Sequence, residues 1–175
     1  MAKLRKMLGR ADDPQIVTLM HLIETQSKPT LAAWAAACVQ ERYLPVYERA
    51  YPHDRRLRDL IEAVGDHLHG ALKLPQLKIL LRQARAVPQE AEGDPAAQAA
   101  ARAVVTACGV IQTPTNALGF VFYGAAAAAY DALGLSAAAA DYDAFAAAEF
   151  EALAASLRAA AVSDEVRPAK INWNC

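Results

Sequence analysis

The chain has 175 residues, of which 18 are Lys or Arg and 19 are Asp or Glu, so its formal net charge is -1. This balance gives no general attraction for phosphate backbones or anionic lipids, which excludes nucleic acid and membrane surfaces as expected partners. The content of 55% hydrophobic and 21% charged residues excludes a disordered chain and indicates one globular domain.

Alanine dominates the hydrophobic residues, with 42 positions in the chain. Alanine is the best helix former because it loses no side-chain entropy in a helix. Val, Ile and Thr favour strands and are scarce by comparison. The composition therefore predicts an all-α protein without a sheet.

Seven helices are predicted, because Pro after Asp, Ser or Thr repeatedly precedes apolar residues spaced with a period of 3.6. In chain order they run from about Asp13 to Gln26, from Thr30 to about Tyr51, from Asp54 to Gly70, from Pro75 to a point before Pro88, from Asp94 to about Ile111, from beyond a break at 113–116 to Leu133, and from Ser136 to Val162. The connections are short, which is typical of antiparallel neighbours. We expect consecutive helical hairpins packed as a bundle or a short stacked array.

Three local features of these helices are also predicted. Pro29 should prevent the first helix from continuing, and Thr30 should cap the second. Pro45 lies inside the second helix and should kink it near Glu41, because proline removes a backbone donor. Leu80 is expected on the buried side of the fourth helix, in line with that helix's other leucines.

The helices form one predicted domain over residues 1–166, followed by an extended tail over 167–175. In this tail Ile171 and Trp173 are expected to dock on the body. The polar linker near 88–94 leaves a subdivision of the domain open. Up to Glu92 there are 14 basic and 11 acidic residues, and after it 4 basic and 8 acidic ones, so the charge changes sign across this linker.

The three cysteines are too few and too scattered for a disulfide framework or a CxxC metal site. Cys38 and Cys108 are expected to be small core residues, and no role is assigned to Cys175. No stretch is apolar enough for a membrane span, and the basic start lacks the apolar segment of a signal peptide. A cytoplasmic location is therefore expected.

No pattern in the chain predicts catalysis, a cofactor or a metal. His67 and His69 are two positions apart, so on a helix they point in different directions and do not form the i, i+4 metal pair. The phosphate-binding and nucleophile motifs GxGxxG, GxxxxGK and GxSxG are absent from the sequence. We do not expect an enzyme.

Two charge clusters are the candidate partner-binding residues. The acidic cluster lies on the last long helix and consists of Asp141, Asp143, Glu149 and Glu151. The basic cluster follows Pro52 at the start of the third helix and consists of Arg55, Arg56 and Arg58. The acidic residues suit recognition of a basic protein, and the arginines suggest acidic partners elsewhere in the fold. For both clusters, an ordinary solvated surface is the alternative.

Three segments in a fixed order carry a family resemblance: the WAAAC of 34–38, the LPVYE of 44–48 and the PHDRR of 52–56. With the alanine-rich second half, they resemble the all-helical, alanine-rich immunity protein family of bacterial polymorphic toxin systems. The resemblance covers roughly residues 31–134. It implies a protein that binds and neutralises a cognate toxin through a protein interface.

A different class of function remains open beside this one. The chain could be a helical scaffold or a small-molecule-binding domain whose pocket lies between hairpins. The aromatic residues that would line such a pocket are Trp34, Tyr43, Tyr47, Phe120, Phe122 and Tyr123. An enzyme with an unrecognised helical active site is a third possibility, for which no catalytic set can be named.

Overall fold

The computed structural model describes residues 3–174, and within that range the chain forms nine helices and no strand. They are α1 (Pro14–Glu24), α2 (Lys28–Arg42), α3 (Leu44–Ala50), α4 (Arg56–Leu68), α5 (Leu74–Ala84), α6 (Val87–Glu90), α7 (Pro95–Cys108), α8 (Asn116–Leu133) and α9 (Ala139–Ala160). The predicted all-α class is confirmed. The two additional helices, α3 and α6, both occur where a proline interrupts the predicted pattern.

The kink predicted near Glu41 is a complete break between two helices. α2 ends at Arg42, and α3 begins at Leu44 with Pro45 in its first turn. Proline has no N–H, so it cannot continue the hydrogen-bond ladder of α2, but it fits the first turn of a new helix. Tyr43 joins the two helices, with φ -116° and ψ -33°.

The prediction that Thr30 caps the second helix was wrong. α2 starts two residues before Thr30, and Ser27 caps it by accepting a hydrogen bond from the Thr30 N–H at 3.4 Å. Pro29 lies in the first turn, where a proline costs no intrahelical hydrogen bond. The helix starts predicted at Asp13 and Asp94 are confirmed, and each residue caps its helix: their carboxylates accept the Gln15 and Ala97 N–H groups at 2.9 and 3.0 Å.

α7 lies at the centre of the fold, in contact with α2, α3, α4, α6 and α8. Alanines at 97, 99, 100, 101, 103 and 107 are buried along it. These short side chains allow neighbouring helices to approach closely. α8 forms the most extensive contact with α7 and continues through a turn at Gly134 into α9, which also packs on α1.

α5 lies at the edge of the fold and packs mainly on α4. Its buried side consists of Leu77, Leu81 and Ala84. Leu80, which the sequence analysis placed on this side, is 37% exposed. The prediction for Leu80 was wrong because the buried stripe of an edge helix is narrow, and Leu80 falls on its flank.

Both ends of the described chain are attached to the body. Near the start, the Leu8 N–H donates to the carbonyl of Phe122 at 3.2 Å. Near the end, the buried side-chain amide of Gln26 forms hydrogen bonds with both the N–H and the carbonyl of Val162. The backbone carbonyl of Gln26 also accepts the Ala169 N–H at 2.8 Å. The tail beyond 167 therefore runs along the end of α1, where Ile171 and Trp173 pack half-buried against the core. Cys175 lies outside the described residues.

No helix among residues 3–174 is long and apolar enough to cross a membrane.

Candidate functional site

Three of the four predicted acidic residues on α9 lie at the surface. Asp141, Asp143 and Glu151 are exposed. Asp143 is paired with Arg5 at 2.7 Å, and both of these side chains are about half exposed. Exposed pairs of this kind contribute little to stability and remain available to solvent. Three of the four predicted carboxylates are therefore exposed to solvent.

Glu149 is buried and does not belong to that surface. It is 7% exposed, and both of its oxygens accept hydrogen bonds from the Arg42 guanidinium at 2.8 Å. The Tyr43 hydroxyl donates a third bond to it at 2.7 Å. The side of α9 that carries Glu149 packs on α2, so the carboxylate joins the two helices. This corrects its place in the predicted acidic cluster.

In the Arg42–Tyr43–Glu149 group the carboxylate is buried, while the Arg42 side chain is 33% exposed. Burial, together with the adjacent Glu149 charge, raises the pKa of the Tyr43 hydroxyl well above its usual value. The phenol therefore stays protonated and remains a donor to the carboxylate. Bidentate Arg–carboxylate pairs fix geometry strongly, so this group sets the register of α2 against α9.

The predicted arginine cluster is neutralised within the fold. Arg58 donates to both oxygens of Glu48 at 2.8 and 2.6 Å, and so joins α4 to α3. Arg56 pairs with Asp54 and with Glu90, which joins α4 to α6. Arg55 lies 3.3 Å from Asp59, one turn further along α4. The cluster has acidic partners inside the chain, as the unfavourable position of its charges at a helix start suggested.

Asp54 is the most perturbed carboxyl of this network. The Arg56 guanidinium lowers the pKa of Asp54 to about 2. The Tyr47 hydroxyl donates to the same carboxylate at 2.7 Å, and the Arg56 N–H donates at 3.0 Å, at the start of α4. This geometry is typical of a structural cap rather than a catalytic acid.

A basic surface on α5 was missed by the sequence analysis. Lys78, Arg82 and Arg85 are exposed, and among residues 3–174 none of them has a carboxylate within ion-pair distance. The signal was present in the sequence, because their spacing of i, i+4 and i+7 places them on one line of a helix. The cluster at the start of α4 is the more conspicuous one, because it has three arginines within four positions.

The two neighbouring histidines bind backbone carbonyls separately. Nδ1 of His67 lies 2.8 Å from the carbonyl of Leu72, and Nδ1 of His69 lies 2.8 Å from that of Gly65. Within the described residues, no group of three or more His, Cys, Asp or Glu side chains is placed to hold a metal ion.

The two described cysteines are buried, as predicted. Burial raises the pKa of Cys38 to about 11 and also raises that of Cys108. The Cys38 sulfur lies 3.6 Å from the Ser156 hydroxyl, which accepts the indole N–H of Trp34 at 2.9 Å. Thiols with raised pKa values are poor nucleophiles at neutral pH.

The aromatic residues considered for a ligand pocket pack in separate groups. Trp34 meets Phe120 edge to face at 5.2 Å between ring centres, and Phe122 meets a phenylalanine of α9 at 6.1 Å. Tyr43 lies against Gly124, where a Cβ atom would come within 2.3 Å of the tyrosine ring. Of the six, Trp34 also reaches an open groove of about 580 Å³ between α2 and α9. The rings therefore act mainly as core.

Taken together, these features describe an all-helical protein whose charged groups hold helices together or face solvent. The sequence model described as "Imm-5 like putative immunity protein" matches residues 21–158, which is more than three quarters of the chain. The chain therefore belongs to the Imm-5 like immunity protein family. The match spans the WAAAC, LPVYE and PHDRR segments on α2, α3 and the start of α4. No curated protein and no solved structure matches the chain.

Proposed function

We propose that this protein binds a cognate bacterial toxin and neutralises it by covering the site through which the toxin acts on its target. The observation that carries the proposal is the family match over residues 21–158. It covers α2 to α8 completely and nearly all of α9, but only the end of α1.

The polar groups in the interior of the protein are hydrogen-bonded. Among residues 3–174, every buried side-chain nitrogen or oxygen has a hydrogen-bond partner. A rigid body with charged groups on its surface suits occlusion, because little order has to be created when the partner binds.

The proposal is tested with the toxin domain encoded by the reading frame beside this one. Cells that express this domain should grow when the chain is produced with it and stop growing without it. The purified proteins should form a stable complex on size-exclusion chromatography. Absence of both protection and complex would refute the proposal.

Occlusion is distinguished from enzymatic inactivation by stoichiometry. If the chain acts by covering the toxin, inhibition should rise linearly with added protein and be complete at one equivalent. Toxin recovered from the dissociated complex should then be fully active. Complete inhibition by a small fraction of an equivalent, or toxin that stays inactive after separation, would show catalysis instead.

A further inference from the structure

Helix α5 is anchored along one narrow side only. Leu77, Leu81 and Ala84 face the core, and the rest of its circumference meets solvent. On the exposed side Ile79 is 51% accessible, which is unusual for an isoleucine in a helix of this fold. The helix therefore presents both charge and apolar surface outward.

Three basic side chains form a continuous line on this exposed side. Lys78, Arg82 and Arg85 are spaced i, i+4 and i+7, which corresponds to about 10 Å along a helix. Residues 71–89 contain four basic residues and no acidic one. Like charges one turn apart disfavour a helix, and no carboxylate within residues 3–174 offsets them here.

The arginines elsewhere in the first half behave differently. Within the described residues every arginine from Arg5 to Arg58 is within 4.0 Å of a carboxylate oxygen. Arg82 and Arg85 are the first in chain order that are not. Among the described residues, the only unpaired arginines of this half thus lie at the C-terminal end of α5.

The C-terminal end of this line borders a polar groove of about 190 Å³. Its lining includes Arg85 and Leu81 from α5, and Thr106, Thr113 and Asn116 from the end of α7 to the start of α8. Hydroxyl and amide donors beside a guanidinium suit a carboxylate. The groove therefore extends the basic line with neutral hydrogen-bonding groups.

The occupant that fits these features is an acidic patch on a protein. The whole chain has a net charge of -1, so everything outside the +4 segment at 71–89 carries -5. This negative remainder opposes a long polyanion such as DNA or a lipid surface, each of which engages many charges at once. Three charges over about 10 Å, with an exposed isoleucine beside them, match the size of a local protein contact.

We infer that Lys78, Arg82 and Arg85, together with Ile79, form the surface with which this protein binds an acidic face of its partner. The inference rests on the proposed function, since it takes the partner to be the toxin. It assigns the contact to the basic helix α5 and makes the toxin's complementary surface acidic. We call the surface of these four residues the α5 basic face.

The test compares two triple variants in stopped-flow binding to the adjacent-gene toxin domain, from about 50 to about 500 mM salt. The first carries Lys78→Gln, Arg82→Gln and Arg85→Gln. The matched control also removes three exposed charges, by Asp141→Asn, Asp143→Asn and Glu151→Gln. Circular dichroism and thermal melting establish that both variants keep the wild-type fold.

Removing the three charges of the α5 basic face should slow association by about tenfold or more at low salt and flatten its salt dependence. Charges at the edge of an interface act chiefly on the association rate. The control should bind at the wild-type rate or faster. An unchanged rate for the α5 variant overturns the inference. A slower control with a normal α5 variant overturns it too, and would place the contact on the carboxylates of α9.

Three further measurements separate other occupants from the proposed one. Wild-type protein that binds a DNA duplex or phosphatidylglycerol vesicles, with binding lost in the α5 variant, would overturn the inference. So would a wild-type dimer in sedimentation that becomes a monomer in this variant. If the wild type neither binds nor protects against the toxin domain, the proposed function itself fails. A failure confined to the effect of the α5 variant leaves that function intact.

Discussion

Substituting Gly124 by alanine tests whether the ring of Tyr43 is held as rigidly as its contacts indicate. A Cβ atom at Gly124 would lie 2.3 Å from both Cε2 and Cζ of Tyr43, far inside van der Waals contact. Tyr43 is completely buried, and its hydroxyl is bound to Glu149 at 2.7 Å. The ring therefore has no free space into which it can withdraw.

The expected loss follows from two opposed effects. Alanine improves helix propensity by about 1 kcal/mol over glycine. Overpacking a tight core costs about 1 to 3 kcal/mol, and displacing a buried hydrogen bond adds about 1 to 3 kcal/mol. We expect Gly124→Ala to lower the free energy of unfolding by about 2 kcal/mol, which corresponds to about 4 to 8 °C in the melting temperature of a chain of this size.

Gly65 provides the matched control, because it also lies within a helix and a Cβ there meets nothing within 4 Å. Gly65→Ala should raise the free energy of unfolding by about 0.5 to 1 kcal/mol through propensity alone. Both variants are measured by urea denaturation followed by circular dichroism. A Gly124→Ala protein as stable as Gly65→Ala would refute the close packing of Tyr43.

The remaining predictions concern charge and thiols. Arg42→Met should lower the free energy of unfolding by about 3 kcal/mol, because it leaves Glu149 buried without its cation. Adding Glu149→Met should restore most of this loss, as measured from the denaturation midpoint. A single variant no less stable than the double would contradict this. Asp54→Asn should cost about 1 kcal/mol at neutral pH, because the pKa of this carboxyl falls from its ordinary value near 4 to about 2 on folding. That stabilisation is complete above about pH 4 and is lost as pH falls towards 2, so denaturation curves of wild type and variant should converge there, and a constant difference would contradict the pairing. In a Cys175→Ser background, thiol reagents at pH 8 should react only after unfolding, because burial raises the pKa of Cys38 to about 11. Rapid labelling of the native protein would show an open core.

The features that the sequence predicted well depend on short-range bonds. Asp13 and Asp94 cap helices through N–H groups two or three residues away, so the signal is complete within a few positions. The break at Tyr43 was only half foreseen, because proline shows where a ladder fails but not whether the chain bends or restarts.

The burial of Glu149 could not be predicted from the sequence of α9, because alanine occurs on both the buried and the exposed sides of this helix. Such a helix has no clear apolar stripe to show which residues face inward. The partner that makes burial of this carboxylate acceptable, Arg42, is 107 residues away. Long-range pairing of this kind follows only from the packing of helices.

The same reason explains why the sequence alone predicts a partner surface at the arginine cluster. Arg58 pairs with Glu48 across 10 residues, and Arg56 pairs with Glu90 across 34. These separations cross helix boundaries, where i, i+4 rules do not apply. Only after these internal pairs have been assigned is it evident that the basic residues of α5 have no carboxylate partner among the described residues.

The course of the tail gives the protein two separate optical reporters. The chain has two tryptophans. Trp34 is enclosed in the core beside Phe120, while Trp173 lies half-buried at the end of α1 and donates its indole N–H to Glu24. Release of the tail would move the second indole into water and leave the first in its apolar surroundings. Emission from a Trp173→Phe variant therefore records the body alone, and its difference from wild type records the seating of the tail.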